Sequence, residues 1–285
     1  MFRSNLRKRG IVERLRSPTL DGVAIDISEF AAVLLDLDGT IWHEEVPLPG
    51  AVELIARLQT RNQKFAFVTN SGLSPARLRD RLVGMGAKVD ASHFYSAASA
   101  SCDYVRDHFP KGTKVFSVAG SACEELLSDY VEFVQDDQSS CAVVMSASLA
   151  NKNATAARFQ MALRHILRGA AHVALCADRA YPTPRGFEIG SGAVSAMLAY
   201  AAGHQPIYCG KPQRVFFDEL CQHLGVAPDR CVLIGDNLEA DVAGARQMGM
   251  KSIVPLTGLT TREMLKANVL GLVPDHVVES LGELK

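Results

Sequence analysis

A short apolar run at residues 31–35 breaks off at Asp36-Leu37-Asp38-Gly39-Thr40. Such a run, bounded by a turn signal, reads as a strand buried on both faces. Buried strands of an open parallel sheet present ligand-binding residues at their carboxyl ends, in the crevice outside the sheet. Two carboxylates set there carry a solvation penalty unless a cation joins them. The cation that suits them is a hard divalent ion such as Mg2+, which takes oxygen ligands and commonly brings a phosphate with it. A turn whose aspartates merely cap the next segment is the alternative that this stretch alone leaves open.

The same strand-turn-helix pattern recurs along the chain. Residues 51–61 have helical spacing, with Val52, Ile55, Ala56 and Leu58 on one apolar stripe. Residues 64–68 form a second strand, which stops at Thr69-Asn70-Ser71-Gly72. Ser74 is the expected N-cap of the next helix, with Pro75 in its first turn. Further strands are expected at 93–96, 114–118, 130–134, 141–147, 171–176, 206–209, 231–234 and 251–255. Helices are expected at 100–108, 154–168, 193–202 and 214–224, with a short one at 11–15 and a loop at 181–186. This alternation predicts an α/β fold, a doubly wound and mostly parallel Rossmann-like sheet, with a middle region that forms its own α/β lobe.

Composition narrows the partners. The formal net charge of -1 over 285 residues gives no electrostatic drive toward nucleic acid polymers or an anionic membrane. No apolar run approaches the roughly 18–20 residues of a membrane span. The basic start, Arg3 to Arg9, lacks the apolar segment of a secretory signal and reads as a solvated helical tail. The seven cysteines include no Cys-x-x-Cys pair, and most sit in or beside strand-like runs. They read as buried, reduced thiols, which points to the cytoplasm.

Four strand ends carry complementary polar groups. The first offers Asp36 and Asp38, and the second Thr69 with the backbone amides of Asn70 and Ser71. The third offers Lys211, between Gly210 and Pro212, and the fourth offers Asp236 with Asp241 five residues on. If all these ends open on one edge of one sheet, the set suits phosphoryl transfer, which asks mainly for positioning and charge neutralisation. Lys211 and Mg2+ supply positive charge, Thr69 and the amides supply donors, and Asp36 and Asp236 supply oxygen ligands.

The full order is strand-Asp-x-Asp-Gly-Thr, strand-Thr-Asn, strand-Gly-Lys-Pro, strand-Gly-Asp-x-x-x-x-Asp. It resembles the haloacid dehalogenase superfamily of phosphatases, over roughly residues 30 to 260. The narrower likeness is to the branch with a large α/β cap between the second and third motifs. It rests on Asp36-Leu37-Asp38-Gly39-Thr40-Ile41-Trp42, Pro49-Gly50-Ala51, Phe67-Val68-Thr69-Asn70-Ser71, Gly210-Lys211-Pro212 and Gly235-Asp236-Asn237-Leu238-Glu239-Ala240-Asp241.

That resemblance implies a core hydrolase domain in two parts, 1–98 and 205–285, with the cap at 99–204. It implies hydrolysis of a small phosphomonoester, such as a sugar phosphate or a nucleotide. Asp36 is then the nucleophile that takes the phosphoryl group, and Asp38 the acid and base. Mg2+ is held by Asp36, the Asp38 carbonyl and Asp236, with Asp241 supporting those ligands from behind. Thr69, the Asn70 amide and Lys211 hold the phosphoryl group. In the cap, relatives carry an Asn-Pro-Asp or Asp-Arg turn where this chain reads Cys176-Ala177-Asp178-Arg179, so Asp178 and Arg179 are the candidates for touching the leaving group. Pairing of two copies through the cap is a further expectation. A phosphotransferase or phosphomutase using the same intermediate stays open. So does a non-enzymatic receiver-like switch, although such a switch has no need of Asp38.

Overall fold

The computed structural model describes residues 25–147, 149–151, 154–183 and 185–285; the helix expected at 11–15 lies outside them. β1 (Ala32–Leu35) is apolar and buried at every position, as a central strand between two helical layers must be. Beyond the aspartates the chain turns back in a small hairpin of β2 (Trp42–His43) and β3 (Val46–Pro47). α1 (Ala51–Thr60), β4 (Lys64–Thr69), α2 (Pro75–Gly84), β5 (Phe94–Ser96) and α3 (Ala97–His108) follow.

The middle region then builds its own layer. It comprises β6 (Lys114–Val118), α4 (Ser121–Leu127), β7 (Glu132–Val134), β8 (Val143–Ser146), α5 (Ala156–Leu167) and β9 (Ala171–Ala174). A hairpin of β10 (Ala180–Thr183) and β11 (Gly186–Ile189) leads to α6 (Ser191–Ala202) and β12 (Ile207–Tyr208). The chain returns through α7 (Arg214–Leu224), β13 (Cys231–Ile234), a π-helical turn (Leu238–Val242) and α8 (Ala243–Met248). β14 (Lys251–Pro255), α9 (Arg262–Ala267) and β15 (His276–Val278) complete it.

One sheet runs β15-β14-β13-β1-β4-β5 and is parallel throughout. β1 sits between β13 and β4, with Leu35 level with Ile234 on one side and Phe67 on the other. The polar residues just past these three strands therefore share a rim. The second sheet, β12-β9-β8-β6-β7, is also parallel. One apolar cluster joins the two: Leu34 and Val68 of the first sheet and Val143 and Met145 of the second belong to it, with α3 and α7 contributing Val105 and Phe216. The other face of the first sheet is packed by Leu35, Phe67, Leu54, Ile55 and Leu78. Each large side chain buried in this way contributes about 1.5–3 kcal/mol before chain entropy is set against it.

Four local expectations change. The buried stripe of α1 is Ala51, Leu54, Ile55 and Leu58 rather than one through Val52 and Ala56, because the helix lies on the sheet about a quarter turn from the assumed face. Ser74 stands at the N-cap of α2, but its side chain caps nothing and its Oγ is buried without a partner among the described residues. The stretch expected as a loop at 181–186 is the β10–β11 hairpin, whose return strand opens at Gly186 with φ 111°. The strand before Lys211 does not join the first sheet: β12 pairs with β9 at the edge of the second, just past the limit expected at 204.

Candidate active site

Asp36 leaves β1 with its amide bonded to the Ile234 carbonyl at 2.8 Å, so the β1–β13 ladder fixes its backbone. Its carboxylate faces Lys211, which arrives from the other sheet. The Lys211 Nζ donates to Asp36 Oδ1 at 2.6 Å, to Asp241 Oδ1 at 2.7 Å and to the Val68 carbonyl at 3.0 Å. An ammonium has three hydrogens, and these three acceptors use them all. Lys211 is only 2 % exposed, so it is tied to this arrangement rather than waving in solvent. Burial alone would lower its proton affinity, but Asp241 and Asp36 outweigh that and hold it charged, above the usual lysine range.

Asp236 follows β13, and Asp241 sits in the π-helical turn that opens after Asn237. The Asn237 side chain accepts from the amides of Glu239 and Ala240, which starts that turn. The Asn237 amide in turn donates to Asp241 Oδ2 at 3.1 Å, aiming the carboxylate back at Lys211. Oxygens of Asp36, Asp236 and Asp241 all lie within 4.8 Å of one another, and all three residues are buried. Burial raises the proton affinity of Asp36, with Lys211 opposing it. Burial and then the charges of Asp36 and Asp241 push Asp236 well above the carboxylate range. Asp241 is raised to about 6, again by burial with Lys211 opposing.

Glycines make room for these carboxylates. A Cβ on Gly39 or Gly258 would stand 2.4 Å or 1.9 Å from Asp236 Oδ2, and one on Gly235 would stand 2.2 Å from Asp241 Cγ. Gly39 also has φ 83°, a backbone that side chains resist. The loop after β14 wraps Asp236: the Leu259 amide donates to Oδ2, and Thr260 donates to its carbonyl through both amide and hydroxyl. Three buried carboxylates facing one ammonium leave an excess of negative charge when ionised. A hard divalent cation with oxygen ligands fits that donor set.

The remaining expected residues divide. The Asp38 side chain points outward, 58 % exposed, and accepts from Trp42 Nε1 at 2.7 Å. Thr69 is buried, and its Oγ1 accepts from the Ser71 amide at 3.1 Å, which leaves its own hydrogen to donate. Asn70 Nδ2 bridges the layers, donating to Asp178 Oδ1 at 3.1 Å and to the Lys211 carbonyl at 3.0 Å. Asp178 thus lies beside the loop after β4, and burial raises its proton affinity. Arg179 does not converge with it. Its guanidinium turns to Glu239, at 2.7 and 3.0 Å, on an exposed flank. His43 is exposed. A cavity of about 750 Å³ lies elsewhere, at the amino ends of β1 and β4. Its Arg61, Lys64 and Arg230 gather where α1 and α7 end, and Lys64 donates to the Leu224 carbonyl at 2.8 Å. The Lys64 ammonium is thereby matched to the carboxyl end of the α7 helix.

Residues 33–131 match the family described as haloacid dehalogenase-like hydrolase, and residues 208–284 match the one described as HAD-hydrolase-like. The chain belongs to the haloacid dehalogenase superfamily. Its likeness to an acid sugar phosphatase of Staphylococcus saprophyticus is 24 % identity over 90 % of this chain and 98 % of that one. The solved p-nitrophenyl phosphatase of Archaeoglobus fulgidus superimposes with a TM-score of 0.83 at 29 % identity, covering 90 % of this chain and 98 % of that one. A glycerol phosphate phosphatase of Mycobacterium tuberculosis, solved with magnesium, gives a TM-score of 0.77 at 25 % identity, over 90 % and 76 % of the two chains.

In this haloacid dehalogenase chain the sequence pattern located the carboxylates and Lys211 but missed what holds them. The Thr257-Gly258-Leu259-Thr260 loop reads locally as an ordinary turn after a buried strand, although Thr257 and Gly258 pack against the site. Arg81, which meets Trp42 and Asp38 from α2, gave no signal, because it reads as an ordinary polar position of a surface helix.

Proposed function

We propose that the chain is a Mg2+-dependent phosphatase for a small phosphomonoester, such as a sugar phosphate or a nucleotide. The observation that carries this reading is the buried Lys211 ammonium shared by Asp36 and Asp241 beside Asp236. In it, an Asp36 oxygen bonds to phosphorus as the bond to the ester oxygen breaks, and that oxygen takes a proton from the Asp38 carboxyl. Water then attacks the aspartyl-phosphate, its proton passes to Asp38, and the Asp36–phosphorus bond breaks to release phosphate. Lys211 neutralises charge on Asp36 and the phosphoryl oxygens, and the Thr69 hydroxyl and the Asn70 amide donate to those oxygens. Asp36, Asp236 and the Asp38 carbonyl would hold Mg2+, with Asp241 orienting them. The ion would shield phosphoryl charge from the nucleophile.

The layer built around the second sheet (99–204, with the β12 edge) acts in this reading as a cap. Asp178 is its contact to the leaving group, and Arg179 its latch to Glu239. Phe187, Ile189, Met197 and Tyr200 are large, apolar and exposed on the β11 and α6 side of that layer, which supports pairing with a second copy there. Seven free cysteines support a reducing, cytoplasmic setting, and no helix among the described residues is long and apolar enough to cross a membrane.

The test is a panel of phosphomonoesters assayed for phosphate release with and without Mg2+, alongside Asp36→Asn. Release that needs the divalent ion and is lost in the variant is expected. Release without metal, or an unaffected variant, overturns the reading. Transfer of the phosphoryl group to an added alcohol in preference to water would make it a phosphotransferase.

A further inference from the structure

Asp38 is held by one oxygen only. Trp42 Nε1 donates to Asp38 Oδ1 at 2.7 Å, and Arg81 NH1 stands 3.9 Å from that same oxygen. Oδ2 has no partner among the described residues. The two holders are themselves fixed. Trp42 is fully buried in the β2–β3 hairpin, with its carbonyl bonded to the Gly39 amide at 2.8 Å. Arg81 comes from α2 and stacks its guanidinium over the Trp42 ring, 4.7 Å from the centroid. It also meets Glu45 Oε1 at 3.4 Å and donates to the Glu44 carbonyl at the hairpin turn. One side chain therefore clips the hairpin to α2 and braces the indole that aims Asp38.

An exposed aspartate otherwise samples several rotamers, and proton transfer needs the carboxyl within hydrogen-bond reach of the reacting oxygen. A donor on a rigid, buried ring removes most of that freedom before substrate arrives. We propose that Trp42 and Arg81 are positioning residues for Asp38, tying down Oδ1 so that Oδ2 is the oxygen that gives its proton to the leaving group and later takes one from water. The inference rests on the phosphatase reading above.

A split between leaving groups tests it. p-Nitrophenolate departs without a proton, so the first turnover of p-nitrophenyl phosphate does not use Asp38. Attack of water on the intermediate does, and so does loss of an alkoxide from an alkyl phosphate. Arg81→Met should slow steady turnover of glycerol phosphate about 10-fold, a part of the 10²–10⁴ that general acid–base catalysis supplies, with KM within about twofold. In rapid quench, its first release of p-nitrophenolate should stay within about twofold of wild type while the steady rate falls, giving a burst of one product per enzyme. Trp42→Phe should do the same more strongly, and Arg81→Lys should fall between. Should Trp42→Phe fail to fold, Arg81→Met still decides, since Arg81 is a partly exposed residue of a surface helix. First turnover and steady rate falling together, or neither changing, overturns the inference. If Asp38→Asn is inactive toward glycerol phosphate while Arg81→Met matches wild type, only the positioning role falls. Free turnover by Asp38→Asn brings down the acid–base reading and this inference with it.

Discussion

Lys211 follows an edge strand of one sheet, and its ammonium donates at 2.6 Å to Asp36, which ends the central strand of the other. The pair therefore spans the two layers, and its geometry depends on how they dock. Asn70, bonded both to the Lys211 carbonyl and to Asp178, ties the same junction from the β4 side.

Removing that ammonium leaves two carboxylates buried against each other. Lys211→Met should destabilise the protein by about 3–5 kcal/mol, the usual loss on breaking one half of a buried pair, and should abolish phosphate release. Urea denaturation in EDTA reads the first and a phosphate assay the second. A stability within about 1 kcal/mol of wild type would mean that the three carboxylates are already protonated or hydrated.

Mg2+ should raise the melting temperature more at pH 7.5 than at pH 5. Asp241 has its folded proton affinity raised to about 6 from an ordinary 3.8, by burial with Lys211 opposing. In metal-free protein the folded state thus holds more protons than the unfolded one between those values, so stability falls as pH rises through about 6. A divalent ion favours the ionised carboxylates and offsets that fall, while at pH 5 it must displace protons. Scanning calorimetry at both pH values, with MgCl2 and with EDTA, measures the difference. An equal shift at both would place the ion elsewhere.

Gly258→Ala should cripple turnover and weaken Mg2+ binding, because the added carbon would stand 1.9 Å from Asp236 Oδ2. Either the carboxylate or the 257–260 loop must move, at a cost of about 1–3 kcal/mol. Gly84→Ala is the control: nothing lies within 4 Å of the added carbon at the end of α2, and the change should leave activity intact. Titration of Mg2+ by its effect on melting temperature compares the two.

The second sheet should have its own acid limit. His172 is buried, with Nε2 2.8 Å from Ser146 Oγ, and Ser146 is bonded on to Ser195. Its Nδ1 is buried without a partner among the described residues. Burial, and then the nearby His204, lower its proton affinity to about 4 from 6.5. The unfolded chain therefore binds the extra proton in that window, and the stability that the neutral ring contributes at pH 7 is lost as pH falls from about 6.5 to about 4. The full shift corresponds to on the order of 3 kcal/mol. His172→Asn should flatten this part of a urea-stability profile measured from pH 7 to pH 4.5.

The local sequence was enough to mark the α/β alternation, because apolar period and turn chemistry act over a few residues. It also marked Asp36, Lys211 and Asp236, since each is a charged residue placed just past an apolar strand, and Asp241 by its place five residues after Asp236. Only the tertiary structure decided which sheet each strand enters. Residues 206–209 read like any short strand, and backbone pairing with β9 rather than with a strand of the first sheet leaves no trace in two side chains. The same holds for Arg81 at Trp42 and Asp38, for Gly258 under Asp236, and for Arg179 turned to Glu239. A surface helix position, a turn glycine and an exposed arginine keep the same local character whether or not another part of the chain packs against them. Their roles come from contacts between segments distant in sequence: Arg81 and Gly258 gain theirs within the first layer, and Arg179 gains its own where the two layers meet.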